Sequence, residues 1–169
     1  MLFRSLPRAP RIWSPLADEV AREEAWAALG LPDSFSALSV EYWTLCHGPG
    51  ASLPLLLHAA LGLDGSATRE DWLRGMAHLE LAWDEVHLPP DQLGVACEVC
   101  ACAIDAEEPV LVRELCVRYL LPWCEAALAR LSPESAMRAV IEYFHADMEL
   151  ASIPDEGRSR HQAAAAERS

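Results

Sequence analysis

Three cysteines lie close together in the chain, and they are the first residues whose spacing could support chemistry. Cys97, Cys100 and Cys102 could bind a metal ion or take part in redox reactions if their thiols converged. On a helix, positions i and i+3 share a face, whereas position i+5 points well away from i. No further Cys or His pair follows at zinc-finger spacing. Burial as small apolar side chains is the favoured interpretation, and a metal- or redox-responsive helical protein is the alternative.

Other residues with catalytic chemistry form no recognised pattern. The six histidines are scattered, and neither a Gly-x-Ser-x-Gly turn nor a phosphate-binding glycine loop occurs. The chain contains no lysine, which excludes Schiff-base chemistry and a P-loop lysine. Glu107 and Glu108 are more simply the acidic start of a helix than a catalytic pair. The sequence therefore predicts a protein that is not an enzyme and holds no cofactor or metal ion.

The charge of the chain excludes one class of partner. The formal net charge is −13, from 26 acidic residues and 13 basic residues, all of them arginine. An acidic surface repels phosphate backbones, so we expect no nucleic-acid binding. Residues 1–17 hold three arginines and no acid, whereas residues 18–154 hold seven arginines against 23 acids. The acidity therefore belongs to the body of the protein.

The composition favours helices. The chain has 28 Ala and 25 Leu among its 169 residues, against 9 Val and 4 Ile. Its longest apolar run, residues 51–63, contains Pro54 and His58 and is shorter than the roughly 20 residues of a membrane-spanning helix. No secretory signal is recognisable, so we expect a cytoplasmic protein with reduced thiols and no membrane insertion.

The elements that must position these residues can be predicted from helix start and stop signals. Ser14-Pro15, Asp33, Thr68, Pro90 or Asp91, Pro109 and Ser132-Pro133 are the predicted starts. The predicted helices span about 15–29, 34–46, 54–62, 69–83, 91–104, 109–121 with a continuation to 131, and 133–151. We predict an all-α, single-domain bundle of about seven helices over residues 15–153. Residues 1–14 are predicted to be a flexible segment and residues 154–169 a disordered tail.

The predicted helix over residues 91–104 is nearly all apolar or small, with Glu98 as its one interior charge. A helix that is apolar on nearly all sides is typical of the centre of a bundle.

Six tryptophans are unusual in a chain with three phenylalanines. Trp72, Trp83 and Trp123 lie near helix ends or prolines, where they could pack in the core or line a groove for an apolar peptide.

Three stretches taken together resemble a known family. Residues 40–50 form a predicted helix with Glu41-Tyr42 that ends in Gly-Pro-Gly; residues 83–98 lead through Pro89 and Asp91 into the apolar helix; residues 109–123 end in Leu-Pro-Trp. In this order they resemble the TorD/DmsD/NarJ-type redox-enzyme maturation chaperones. That family shows a Glu-Tyr helix ending in Gly-Pro-Gly, a Glu-Pro-x-Asp-His segment opening a central helix, and a later Leu-Pro-Trp. The resemblance covers about residues 16–150.

The resemblance implies a binding function without chemistry. It implies a TorD-like helical bundle that acts as a cytoplasmic chaperone, as a monomer or homodimer. Such proteins bind the apo catalytic subunit of a molybdenum or tungsten oxidoreductase and assist insertion of its molybdopterin cofactor. Many also bind the twin-arginine signal peptide of that subunit. An acidic helical body is compatible with a cationic and apolar peptide.

The resemblance also carries the predicted client-binding residues: Tyr42, Trp83, Pro89, Pro90, Asp91, Gln92, Glu98, Pro122 and Trp123. Leu88 stands where the family has Glu, and Gln92 stands where it has His. Leu88 removes a carboxylate, and Gln92 keeps hydrogen-bonding capacity but does not titrate. The sequence thus leaves two clients open: one with a twin-arginine signal, or one without it, as in the nitrate-reductase branch.

Overall fold

The computed structural model describes residues 9–31, 33–82 and 87–153. Its helices are α1 (Ala9–Trp13), α2 (Glu19–Leu29), α3 (Phe35–Cys46), α4 (Leu57–Leu61), α5 (Gly65–His78), α6 (Leu93–Asp105), α7 (Pro109–Leu115), α8 (Leu121–Arg130) and α9 (Met137–Ser152). A π-helical turn, Cys116–Leu120, joins α7 to α8. Within the described residues no strand forms, and one isolated bridge links Leu56 to Gln92. The predicted all-α, single-domain bundle is confirmed.

The apolar helix α6 is the centre of the bundle, as its pattern predicted. It packs against α1, α5 and α7. Its buried residues are Leu93, Gly94, Val95, Ala96, Cys97, Val99, Cys100 and Ala103. Glu98 is exposed and Cys102 is half-buried, so these two mark the side of α6 that faces solvent.

An aromatic cluster joins the first helix to the last two. The Trp13 ring lies 5.3 Å from the Trp123 ring and 5.9 Å from the Phe144 ring, measured between centroids. Of the five tryptophans in the described ranges, four are buried: Trp13, Trp26, Trp72 and Trp123. Helices α1, α8 and α9 are therefore held together by rings that are distant in sequence.

The start of the chain differs from its prediction. Residues 1–14 were predicted to be flexible, but residues 9–13 form α1, which buries the side chains of Ile12 and Trp13. A five-residue helix is unstable alone, so this element exists because its side chains pack in the core. The prediction was wrong for these residues. Residues 1–8 and the predicted tail 154–169 lie outside the described residues.

Several helix starts also differ from their predictions. Helix α2 is capped by Asp18 rather than Ser14, and the Asp18 carboxylate accepts a hydrogen bond of 2.7 Å from the Ala21 amide. Helix α5 is capped by Asp64 rather than Thr68, whose hydroxyl donates to the Asp64 carbonyl within the helix. Helix α9 begins at Met137, later than its Ser-Pro signal. Where two capping residues compete, tertiary packing selects the one that is used.

The helix predicted over residues 109–121, with a continuation to 131, is irregular just before Pro122. The helical path from α7 continues through the π-helical turn into α8, with Pro122 in the first turn of α8. A proline inside a helix lacks an amide donor, and its ring crowds the carbonyl of the fourth residue before it. Widening the preceding turn to a π-helix accommodates this, so the chain continues.

Candidate functional site

An open groove runs along the solvent-facing side of α6. The larger of its two cavities has a volume of about 580 Å³. Residues of α6 form its floor: Gly94, Val95, Glu98, Ala101, Cys102 and Asp105. The walls are formed by residues of α1 and of the segment that follows it, together with one residue from the segment before α6: Pro10, Arg11, Ser14, Leu16, Ala17 and Leu88.

A smaller cavity of about 120 Å³ continues the groove on the other side of α6. It shares three lining residues with the larger cavity and adds residues of α5 and of the segment after it: Val95, Glu98, Cys102, Met76, Leu81 and Ala82. We call the two cavities together the α6 groove. Its volume falls in the range of ligand-binding clefts, about 300–1,000 Å³.

The α6 groove combines an apolar lining with negative charge. Leu16, Leu88 and Val95 supply apolar surface, and the exposed carboxylates of Glu98 and Asp105 lie on its floor. Among the residues that the structure describes, neither carboxylate has an ion-pair partner. Partial burial raises the pKa of the Cys102 thiol, and the negative charges of Glu98 and Asp105 raise it further. Arg11 on the wall adds one positive charge against the two carboxylates, so the lining stays net negative and suits a ligand that is both apolar and cationic.

Helix α1 forms one wall of the groove, and buried side chains hold it by its carbonyl groups. The Tyr42 hydroxyl donates a hydrogen bond of 2.8 Å to the Ile12 carbonyl. The Arg22 guanidinium donates to the carbonyls of Ile12 and Ser14, at 3.3 and 2.8 Å. Carbonyls at the end of a helix lack partners within the helix, so these donors complete the C-terminus of α1.

Arg22 is buried in an aromatic cage rather than in an ion pair. Only 1 % of its surface is exposed. Its guanidinium carbon lies 5.0 to 5.2 Å from the ring centroids of Phe35, Tyr42 and Trp43. Cation–π contacts and the bonds to α1 offset the loss of hydration of this charge. Burial raises the pKa of Tyr42, which keeps its hydroxyl protonated as the donor to α1.

Gln92 links α1 to α6 through hydrogen bonds of its side-chain amide. Its amide nitrogen donates a hydrogen bond of 2.8 Å to the Trp13 carbonyl. Its amide oxygen accepts from the backbone amides of Gly94 and Val95, at 2.7 and 3.2 Å, and so caps α6. A side-chain amide can bond to both helices at once because it carries both a donor and an acceptor. Gln92 was predicted to contact a client, but its buried side chain instead holds the wall of the groove in place.

Asp91 is also buried, and it joins three helices. Its side chain is 0 % exposed. One carboxylate oxygen accepts a hydrogen bond of 3.1 Å from Arg69 Nε on α5. The other accepts from the ring Nδ1 of His58 and, at 3.3 Å, from the His58 amide on α4. Protein groups thus bond both oxygens of Asp91, and its direct contact with a client stays a prediction.

Trp123 is in the core. Its side chain is 1 % exposed, and its indole nitrogen donates a hydrogen bond of 2.9 Å to the Pro54 carbonyl. Pro90 is buried as well, whereas Pro89 and Pro122 are half-buried. The structure brings none of these residues into the α6 groove.

Of the other predicted client-binding residues, Tyr42 lies in the core and Trp83 lies outside the described residues. Glu98 is the one predicted residue that the described structure places in the groove. Sequence reasoning missed Asp105, and it considered Cys102 only as a metal or redox residue. Glu98, Cys102 and Asp105 follow at i, i+4 and i+7, which is one face of a helix. This polar stripe on an otherwise apolar helix was the signal that could have identified the open side.

The cysteines separate into two groups. Cys97, Cys100, Cys116 and Cys124 are buried, and the sulfur atoms of Cys100 and Cys116 lie 3.8 Å apart. Burial raises the pKa of Cys97, so its thiol stays protonated and a poor nucleophile. Cys102 faces the groove instead, so the three neighbouring cysteines of the sequence do not converge. In the described ranges, no group of three or more His, Cys, Asp or Glu side chains is arranged to hold a metal ion.

Comparisons with protein-family models, with curated proteins and with solved structures gave no match to this chain. Within the described ranges, no helix combines the length and apolarity that crossing a bilayer requires.

Gly94 allows α1 to lie close to α6, which leads to a prediction. A methyl group at Gly94 would lie 2.9 Å from the Ser14 backbone nitrogen and 2.9 Å from the Gln92 amide oxygen. We expect Gly94→Ala to lower the free energy of unfolding by about 1–3 kcal/mol. This loss exceeds the ~1 kcal/mol by which Ala favours a helix over Gly. Urea denaturation followed by circular dichroism measures it.

The matched control is Gly75 in α5. Its nearest neighbour to an added methyl group is Leu111 Cδ1 at 3.9 Å, which is an ordinary contact. We expect Gly75→Ala to raise the free energy of unfolding by up to ~1 kcal/mol. If both variants were stabilised equally, the close approach of α1 to α6 would be wrong.

Proposed function

We propose that this protein is a cytoplasmic maturation chaperone of the TorD/DmsD/NarJ type. In this proposal its client is the apo catalytic subunit of a molybdopterin-dependent oxidoreductase, and the α6 groove binds an N-terminal peptide of that subunit. The observation that carries the proposal is the pair of carboxylates, Glu98 and Asp105, on the floor of an apolar groove, for which the described part of the chain provides no ion-pair partner. The order of the three sequence motifs supplies the class of client.

The chemistry of the groove suits a peptide in which arginines precede an apolar stretch. Arginine carries its charge at every physiological pH and forms hydrogen bonds to carboxylates with good geometry. The apolar stretch would lie against Leu16, Leu88 and Val95. Leu88 stands where the family has Glu, so its side chain adds apolar area. Glu98 and Asp105 then supply the negative charge from α6.

In this proposal, the buried residues of the family motifs hold the groove in shape and do not contact the peptide. Tyr42 and Gln92 hold α1, and α1 is a wall of the groove. Asp91 fixes the segment that leads into α6 against α4 and α5. These side chains would shape the peptide site without touching the peptide. This accounts for motif residues that are buried in the structure.

Calorimetric titration with a synthetic peptide tests the proposal. The peptide carries two arginines followed by an apolar stretch, and we expect it to bind the wild-type protein. We expect the double variant Glu98→Gln, Asp105→Asn to bind it about two- to thirtyfold more weakly, since each exposed charge pair contributes about 0.2–1 kcal/mol. Raising the salt concentration should reduce the difference between the two proteins.

Glu114 provides the control, because it is an exposed acid on α7 that does not line the groove. Glu114→Gln should leave the affinity for the peptide unchanged. Equal weakening by the groove variant and the control would mean that net charge, rather than the groove, attracts the peptide. Absence of any binding by the wild-type protein would contradict the proposed site.

A further inference from the structure

The α6 groove lies where the N-terminal residues of this chain meet the folded body. Helix α1 begins at Ala9, and the next residues, Pro10 and Arg11, line the groove. Residues 1–8 are covalently attached to Ala9, so they are tethered at this wall of the groove. Residues 1–8 can reach about 27 Å when extended. The 13 residues of α6 span only about 20 Å, so this reach covers the whole groove.

The chemistry of residues 1–8 is that of the ligand which the groove fits. They contain Arg4 and Arg8, no acidic residue, and the apolar side chains of Leu2, Phe3 and Leu6. The groove offers two carboxylates without partners among the described residues, next to apolar surface. Because residues 1–8 are attached to the protein by a short tether, their arginines encounter the two carboxylates at a high effective concentration, of millimolar order.

We propose that residues 1–8 of this chain dock in the α6 groove and compete there with the client peptide. In this arrangement Arg4 and Arg8 pair with Glu98 and Asp105, and the segment occupies the site that the client peptide would bind. A client that offers a longer apolar stretch displaces the segment, whereas weakly matched peptides are excluded. The competition with a client rests on the proposed function, but the docking of residues 1–8 can be tested without any client.

Cys102 is a natural probe of the docked segment. It lines both cavities of the groove, and it is the one cysteine of the six that is not buried. A small maleimide therefore labels it selectively in the native protein. A segment docked in the groove covers this thiol and slows the reaction.

The experiment compares labelling rates of Cys102 in full-length proteins by mass spectrometry. We expect the double variant Arg4→Ser, Arg8→Ser to react about two- to tenfold faster than wild type, because two charge pairs no longer hold the segment. The loss of positive charge alone would disfavour the thiolate and slow the reaction. Faster labelling therefore reports uncovering of the groove and has the opposite sign to a simple charge effect.

The matched control is Arg158→Ser, Arg160→Ser, which removes the same charge near the other end of the chain. It should react at the wild-type rate. Equal or slower labelling of the Arg4 and Arg8 variant would overturn the inference, and so would equal acceleration by the control. The same variant should bind the client peptide about two- to tenfold more tightly, since no segment competes.

The two proposals fail in different ways. If the peptide binds but the Arg4 and Arg8 variant labels at the wild-type rate, the docking of residues 1–8 is wrong and the proposed function stands. If that variant labels faster but no client peptide binds, the docking is right and the proposed function is wrong.

Discussion

Replacing Trp123 by alanine is expected to lower the free energy of unfolding by about 3–5 kcal/mol. The side chain is 1 % exposed and lies between Trp13 and Phe144, so its removal leaves a cavity that joins α1, α8 and α9. It also leaves the Pro54 carbonyl without the indole donor that now bonds it at 2.9 Å. Urea denaturation monitored by circular dichroism measures the change.

Trp123→Phe separates the two contributions. Phenylalanine keeps most of the ring packing and removes only the indole donor, so we expect a loss of about 1–2 kcal/mol. If Trp123→Ala cost less than about 1 kcal/mol, the ring would lie at the surface. A ring at the surface would be accessible to a client, as the resemblance predicts for Trp123.

Replacing Asp91 by alanine is the second change with a large expected effect, a loss of about 3 kcal/mol. Two charge-assisted hydrogen bonds disappear, from Arg69 Nε and from the His58 ring, together with one from the His58 amide. His58 and Arg69 are half-exposed, so water can hydrate them once the carboxylate is gone, and this limits the loss of stability. The change should loosen α4 and α5 from the start of α6.

Glu70→Ala is the control for Asp91→Ala. Glu70 pairs with Arg74 at 3.4 Å on the exposed face of α5, and such pairs contribute about 0–1 kcal/mol. Peptide binding by the Asp91 variant should fall together with its stability, because Asp91 shapes the peptide site without touching the peptide. If Asp91→Ala kept full stability and lost peptide binding, Asp91 would be a contact residue, and the assignment of the groove would be wrong.

The fold class could be predicted because its signal is local and summed over many residues. Alanine and leucine dominate the chain, and the pattern around α6 is apolar on nearly all sides, so the central helix was found. Helix α1 could not be found in this way. It has five residues, and its stability depends on Arg22 in the next helix and on Tyr42 and Gln92, which lie 30 and 79 residues from the carbonyls that they bond.

The candidate site could be predicted only in part, for a similar reason. Polar residues are mostly exposed, and the resemblance predicts Asp91 and Gln92 to contact a client, yet both are buried. Their burial depends on partners from α1, α4 and α5, and no local sequence pattern predicts such partners. Glu98 was predicted from the resemblance, and its exposure fits the one charge inside an otherwise apolar helix.

Site-specific photo-crosslinking tests the central claim most directly. A photoreactive amino acid in place of Ala101, on the floor of the groove, is compared with one in place of Val117, an exposed residue of the π-helical turn. Each protein is co-expressed with an apo molybdopterin oxidoreductase subunit from the same host. The proposal predicts crosslinks from position 101, and not from position 117, to the N-terminal segment of that subunit. Equal crosslinking at both positions, or none at position 101, would contradict it.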